Sequence, residues 1–525
     1  MSDIRKQPYS PFELPAESSR VSLWKRLVES AASSYPPLQQ TVVADIAIVG
    51  AGITGVTTGL LLQQAGYSVV ILDAHPVGYG VSGFNSGHLT SVLLDSDVRR
   101  VLANFGEEET RAVTSQLQAS IFLIEQLAQD CQVDCEFRRA PGYLYAEQPE
   151  QVKHLEEIGD IVNRLGLQAD LLAQAPLPFP TEAALRIADQ ARFNPLQYVQ
   201  GLARRFVELG GSIYENSRVL DVKGGGAQAP HCIETEAGQV LSDEVVIATH
   251  TPIGFRPAVQ SRLEAIRSYI IGIRTRDAIE DAVFWDMDQP YHYIREAADE
   301  QGRLVLIGGE DHRTGEKRET DDCFSSLEDY AARRFNVDAV DYRWSAQFYQ
   351  PADGLPYIGK LAGTYIATGY SGEGLTFGTL AAQIILDQIQ GRENPCGEIL
   401  SPMRTKPIAS ASGFITENVS TLTHFIKDRF SKAEVTLMPE AIPGDEIPLG
   451  EGRICEIGGK KVAVYRSPEG VTHFLSPVCT HMKCLVAWNP AEKSWDCPCH
   501  GGRFDATGKV LNGPPVTDLE PIDDL

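Results

Sequence analysis

The sequence predicts an α/β domain built on a parallel sheet, a β-rich (α+β) second lobe, and a small all-β domain at the C-terminal end. Three observations predict this. A glycine-punctuated strand–helix–strand unit lies around residue 50, strand-like and helical stretches alternate from there to about residue 395, and after Pro443 the chain turns to short strands separated by Gly and Pro. At 525 residues the chain also exceeds the roughly 100–200 residues of one domain, so more than one core is expected.

Residues 1–40 are polar and interrupted by Pro8, Pro11, Pro15, Pro36 and Pro37, and read as an N-terminal extension without the charged start and apolar core of a secretory signal. Val42 to Val49 has the β-branched run of a buried parallel strand. Gly50-Ala51-Gly52-Ile53-Thr54-Gly55 follows, then an apolar helical stretch to Ala65, a stop at Gly66, and a second buried strand from Ser68 to Leu72 that closes on Asp73. In that order a G-x-G-x-x-G match becomes meaningful. Gly50 allows the tight turn, Gly52 lets backbone approach a pyrophosphate, and Gly55 permits close helix–strand packing. Asp73, twenty-three residues after Gly50, suits the ribose hydroxyls of an adenosine. The unit is Rossmann-like, and alone it does not distinguish NAD from FAD.

Farther along, Asn194-Pro195 opens a helix to about Leu209, Gly210 to Tyr214 starts a strand, and Glu244 to Thr249 is another buried one. From Arg262 to Gln350 the pattern is mixed, with runs such as Leu304 to Ile307, and reads as a sheet-rich second lobe. Gly363 to Gly369 is a strand entering a glycine turn, and a helix follows from Gly374 to about Gln390, stopped by Gly391 and Pro395. Residues 41–397 thus form one two-lobed unit. Residues 398–440 read as a linker with some amphipathic helix around Leu422 to Phe430, and 441–525 as the small β-domain.

Composition narrows the function. The balance of 46 basic against 70 acidic residues, a formal charge of −24, argues against nucleic acid and anionic lipid as partners. It fits an acidic cytoplasmic enzyme, or one steered toward a basic redox partner. The most apolar stretch, Ile46 to Leu72, is broken by glycines and Gln63-Gln64, so no transmembrane segment of about 20 apolar residues is expected. Six of the ten cysteines are scattered, whereas Cys479, Cys484, Cys497 and Cys499 crowd together near the end, which points to metal before a disulfide framework.

Cys479-Thr480-His481 and Cys497-Pro498-Cys499-His500 place a Cys-x-His and a Cys-x-x-His pair on two loops, eighteen residues apart. Two thiolates on one iron and two imidazoles on the other make a [2Fe–2S] centre, and a Cys₂His₂ zinc site is the rival. The surrounding runs CTHMKC from Cys479 and CPCHGGRFD from Cys497, followed by Gly513-Pro514-Pro515, closely resemble the Rieske family over its whole small domain. That resemblance implies Cys479, His481, Cys497 and His500 as metal ligands. It also matches Cys484 and Cys499 to a cysteine pair that forms a disulfide in the respiratory type, two free buried thiols being the alternative. In high-potential members a Ser and a Tyr donate hydrogen bonds where this chain has Gly502 and Phe504, so a potential in the lower half of the Rieske range is expected.

Val81 to Gly87 (VSGFNSG), Asn194-Pro195, Gly201-Leu202, Ser217-Arg218-Val219, Asp353 to Gly359 (DGLPYIG) and Gly369 to Thr376 (GYSGEGLT) stand in the order of the D-amino-acid-oxidase-like family of FAD enzymes, which the chain resembles over roughly residues 42–395. The resemblance implies FAD as the second cofactor. It places Ser82 and Asn85 beside the flavin, the Val219 backbone at the adenine, and Gly369, Gly374 and Thr376 in a flavin-closing turn. Read alone, Gly369 and Gly374 mark a plain strand–helix turn. In that family the substrate lies over the flavin on the second lobe's sheet, where this chain offers Tyr269, His292, Tyr293, Arg295 and His312, with Arg267, Asp311 and Gln347 nearby. An Arg can clamp a carboxylate, and a neutral His or Tyr can accept an amine proton. Equally, Arg295 can pair with Glu296 or Glu300, His312 can cap a loop, and Tyr269 can be core.

Together the resemblances imply an FAD-dependent oxidoreductase fused to its own Rieske acceptor. Its substrate is an amine or amino acid oxidised at the carbon next to nitrogen, and single electrons leave through the cluster to a carrier such as ferredoxin or a quinone. Two alternatives stay open. Electrons can run inward from a ferredoxin, making a reductase or desaturase. Or an oxygen-using oxidase carries its Rieske domain as a redox sensor or structural cap, which rapid reoxidation by oxygen without residues 441–525 would support. A Rieske oxygenase needs two His and a carboxylate on a mononuclear iron, and the eleven histidines are dispersed.

Overall fold

A computed structural model describes residues 21–28, 34–94, 97–226, 229–254, 256–404, 435–437 and 447–522. Much of the expected extension and linker, including Leu422 to Phe430, lies outside the described residues.

The first sheet has eight strands and a spine ordered Tyr357–Leu361, Thr364–Thr368, Gln239–Ile247, Thr41–Val49, Val69–Leu72, Ser212–Tyr214. From Thr364–Thr368 onward each neighbouring pair along that spine is parallel. Such central strands are covered on both faces, and Ile46, Ile48, Ile71 and Leu72 are accordingly buried without alternation. Helices Ile53–Gln64 and Gly374–Ile389 pack so closely that a Cβ on Gly378 would stand 2.7 Å from Thr54 Oγ1. Helix Pro195–Glu208 starts where the sequence places it, because Asn194 Oδ1 accepts the Gln197 N–H at 3.1 Å and Pro195 fills the first helical position.

A short helix, Leu23–Val28, falls within the expected extension yet buries Leu23, Trp24 and Val28 in the core of this sheet. Trp24 Nε1 donates to Asn85 O at 2.6 Å. Full burial of an apolar side chain contributes roughly 1.5–3 kcal/mol, so the three together hold a segment too short to be helical alone.

The second sheet has nine strands, ordered Val337–Pro351, Leu263–Thr275, Gly302–Arg313, Tyr293–Asp299, Val283–Asp286, Arg138–Ala146, Ala183–Arg192, His88–Leu89, with Ala169–Leu172 paired to Ala183–Arg192. The lobe is broader than the stretch Arg262 to Gln350 because Gly142 to Tyr145 pairs in parallel with Val283 to Asp286, a long-range contact with no local signature. One face packs Tyr269, Ile271 and Ile273 under helix Asp321–Arg334, and the other sends Ile270, Leu306 and Trp344 into the core of the first sheet.

The C-terminal domain holds two four-stranded sheets, one of Val435–Leu437, Glu451–Ile457, Lys460–Arg466 and Thr472–Leu475, the other of Ala487–Asn489, Ser494–Asp496, Arg503–Asp505 and Val510–Asn512. Val435–Leu437 pairs with Cys455 to Ile457 ahead of the boundary expected at 441. Among the described residues no helix is long and apolar enough to cross a membrane.

Candidate functional site

A cavity of about 470 Å³ follows the carboxyl ends of the parallel strands, from Asp73, Arg218 and Val219 past Gly50, Gly52 and Thr54 to His250, Tyr349 and Tyr370. Its floor is the turn after Thr41–Val49. Gly50 has φ +110°, and a Cβ there would meet Ala248 O at 2.4 Å, so only glycine carries the chain through this turn. Ser82 Oγ accepts the Ile53 N–H at 2.9 Å and ties the first turn of helix Ile53–Gln64 to the segment Val81–Gly83. Asp73 accepts the Ala51 and His75 N–H groups at 2.6 and 2.8 Å, and burial pushes its carboxyl up to about 6 against those hydrogen bonds.

Of the expected cofactor residues, Gly50, Gly52, Asp73, Ser82, Asn85, Val219 and Gly374 line the cavity. Asn85 also locks its own turn, donating to Val81 O and Ser82 O and accepting from Gly87 N. Gly55, Gly369 and Thr376 are not in the lining. Gly55 is a packing position, its would-be Cβ lying 1.8 Å from Gly50 O, and Thr376 donates to Glu373 O at 3.2 Å inside helix Gly374–Ile389. Tyr370, which sequence reasoning passed over, lines the wall with its hydroxyl 3.1 Å from Thr54 Oγ1. A long cavity with a helix N-terminus at its middle and a carboxylate at one end fits a dinucleotide, pyrophosphate on the helix and ribose at Asp73.

In the C-terminal domain the thiols of Cys479 and Cys497 are buried, and the rings of His481 and His500 stand edge to face at 5.1 Å. His481 Nε2 and His500 Nδ1 are buried without a hydrogen-bond partner, and burial holds both imidazoles near 4, hence neutral. A disulfide joins Cys484 and Cys499, and its sulfurs lie within 4.8 Å of Cys497 Sγ. Two thiols and two neutral imidazoles with orphaned nitrogens, on loops joined by that bridge, fit a [2Fe–2S] cluster of Rieske type.

These loops rest against the cavity wall. Tyr349 Oη donates to His500 O at 3.1 Å, Gln347 Nε2 to Gly501 O at 2.9 Å, and Arg218 to Val510 O at 3.1 Å. Gly501 has φ +68°, and a Cβ there would fall 2.4 Å from Ala265 Cβ. The tip between Ala487–Asn489 and Ser494–Asp496 carries Glu492, which bonds to Arg267 and Ser345 across the interface and to Arg503 at 2.6 Å in its own domain. Burial would raise this carboxyl, but Arg267 and Arg503 outweigh it and hold Glu492 at about 2. Glu492, Arg503, Asn512, Gly513 and Pro515 therefore line the same cavity as Tyr349. Sequence reasoning missed this group, since no local pattern announces a contact between two domains.

None of the five residues expected to touch substrate lines that cavity. Arg295 is buried over Trp24 and donates to Ser86 O, Gly87 O and Phe193 O. His292 bonds to Asp286 at 2.8 Å and stacks on Tyr330. Burial opposes its charge, yet Asp286 and Glu310 raise it to about 9, so it is a cation rather than a neutral base. Tyr269 and His312 meet at 3.1 Å, with Tyr269 in the core under helix Asp321–Arg334. Tyr293 lies against His88 with its hydroxyl 3.1 Å from Ser268 Oγ. Arg267 and Gln347 do line the cavity, though Arg267 is engaged by Glu492.

Residues 45–388 match the family model described as FAD dependent oxidoreductase, and residues 439–522 match the Rieske [2Fe-2S] domain. Over 516 residues the chain is 29% identical to YhfW of Bacillus subtilis (strain 168), whose name is that of a Rieske 2Fe-2S iron-sulfur protein, spanning 97% of this chain and 98% of that one. Over 388 residues it is 28% identical to gamma-glutamylputrescine oxidoreductase of Escherichia coli (strain K12), 69% of this chain and 88% of that one. Among solved structures, glycine oxidase from Geobacillus kaustophilus shares the fold with a TM-score of 0.59 at 20% identity, over 69% of this chain and 99% of that one.

Proposed function

The chain belongs to the FAD-dependent oxidoreductase family and ends in a Rieske [2Fe–2S] domain, and from that premise we propose that it dehydrogenates an amine or amino acid and passes the electrons from FAD to its own cluster. The observation that carries the reading is the seat of the cluster loops: Tyr349 faces the cofactor cavity and bonds to the backbone of His500. The names of two similar proteins, an oxidoreductase of gamma-glutamylputrescine and a glycine oxidase, support a substrate with nitrogen next to the oxidised carbon.

Bound FAD supplies the exchange between two-electron and one-electron chemistry. Helix Ile53–Gln64 and the turn at Gly50 would hold the pyrophosphate, and Asp73 would accept from the ribose. Arg267, Glu492 and Arg503 line the wall where the two domains meet. Cys479, His481, Cys497 and His500 would hold the cluster, with the Cys484–Cys499 bridge joining the two loops around it. The domain units 41–397 and 441–525 and a cytoplasmic location complete the reading, the latter supported by free thiols at the six cysteines away from the cluster loops. A soluble one-electron carrier or quinone would be the external partner of the cluster.

An anaerobic titration of the purified protein, followed by absorbance for flavin and by electron paramagnetic resonance for the cluster, tests this. A panel of amines and amino acids is expected to bleach the flavin and bring up the Rieske signal. Reduction by ferredoxin or dithionite alone, with no member of the panel effective, would reverse the direction of flow.

A further inference from the structure

We propose that Tyr349 is the residue that couples the FAD cavity to the cluster, its ring forming cavity wall and its hydroxyl bonded to the backbone of His500. The inference rests on the reading above, that electrons pass between the two centres. Tyr349 lies in the strand Val337–Pro351 and is 2% exposed. On the cavity side its ring meets His250 edge-on at 4.8 Å, and its carbonyl accepts the Ser371 N–H at 3.0 Å, in the turn that opens helix Gly374–Ile389. On the other side its hydroxyl donates to His500 O at 3.1 Å, with Gly513 O at 3.4 Å as a second acceptor, and accepts from Gln347 Nε2 at 3.1 Å.

One side chain thus reaches from the cavity to an expected cluster ligand. Between the Tyr349 ring and the orphaned Nδ1 of His500 stand one hydrogen bond and the covalent bonds of His500 itself. Another bond across the interface, Thr320 Oγ1 to Asn489 Oδ1 at 2.6 Å, fastens the domains without entering the cavity lining. It separates the two roles that Tyr349 combines, docking and coupling. In the coupled step one electron would pass from reduced FAD to the cluster, taking one iron from ferric to ferrous, and no bond to Tyr349 would be made or broken. A one-electron carrier oxidises the cluster before the second electron follows.

The test compares full-length holoprotein with Tyr349→Phe and Thr320→Val after flash photoreduction by a deazaflavin donor, following flavin and cluster absorbance as the electron redistributes. Tyr349→Phe keeps the ring and loses the bond to His500. It is expected to slow redistribution by about tenfold, with flavin content, cluster content and both midpoint potentials unchanged, while Thr320→Val stays close to the unaltered rate. An unaltered rate in Tyr349→Phe overturns the proposal. So does equal slowing in both variants, which would reduce Tyr349 to docking, or a shift of either potential that accounts for the slowing. Absence of redistribution in the unaltered protein would sink the functional reading itself and the proposal with it.

Discussion

At Gly502 an absent side chain sets the surroundings of the cluster. A Cβ there would stand 3.6 Å from Cys479 Sγ, so a serine hydroxyl would come within reach of a ligand sulfur once Pro515, 2.8 Å from the same point, gives way. Phe504 is fully buried and likewise brings no donor. Without those hydrogen bonds the extra electron of the reduced cluster is less stabilised, and a midpoint in the lower half of the roughly −150 to +300 mV Rieske span is expected. Gly502→Ser is expected to raise it, read by redox titration of the paramagnetic signal, and an unchanged or lower value contradicts the argument. Such departures are legible in sequence because the loop's backbone is dictated locally, as at Gly50. Which candidate side chains face the cavity was not legible in that way. Strand Leu263–Thr275 is buried on both faces, so no polar–apolar alternation tells which side chains face the cavity. A bulge between Arg267 and Tyr269 in the pairing with Gly302–Arg313 adds to that uncertainty of facing.

Among elements, the first strand–helix–strand unit depends on how closely its helix approaches the turn. The 1.8 Å between a Cβ on Gly55 and Gly50 O cannot be relieved by a side chain, since the obstructing atom is backbone. Gly55→Ala is expected to yield protein with the Rieske signal and little bound flavin, measured by absorbance after denaturation. Full flavin occupancy would show that the helix can move away. The helices Pro195–Glu208 and Gly374–Ile389 were readable because their starts and stops are written in Asn194, Pro195, Gly374 and Gly391. Leu23–Val28 was hidden among prolines, since its helicity comes from burying Leu23 and Trp24 rather than from its own residues.

At the scale of the whole molecule, the two domains share one cavity, and Glu492 is the charge that closes it. Removing that carboxylate leaves Arg267 and Arg503 without their common partner, a loss of about 3–5 kcal/mol for a buried pair. Glu492→Gln is expected to loosen the Rieske domain, seen as easier urea unfolding of the cluster's visible circular dichroism. The pH dependence follows from the carboxyl's value near 2, against about 4.3 for a free glutamate. The contribution is complete above the free value and disappears as pH falls toward 2, so the loss in Glu492→Gln should shrink in acid. Equal loss at pH 7 and pH 2.5 would refute the assignment. Neither domain's sequence discloses this closure, because the partners lie far apart in the chain and meet only after both have folded. A shared wall also changes what a truncation means. Deleting residues 441–525 takes away the cluster domain and unroofs the flavin in a single cut, so faster reaction with oxygen would register a breached chamber as readily as a lost sensor. Keeping the domain but replacing its cluster cysteines leaves the roof in place and isolates the wire.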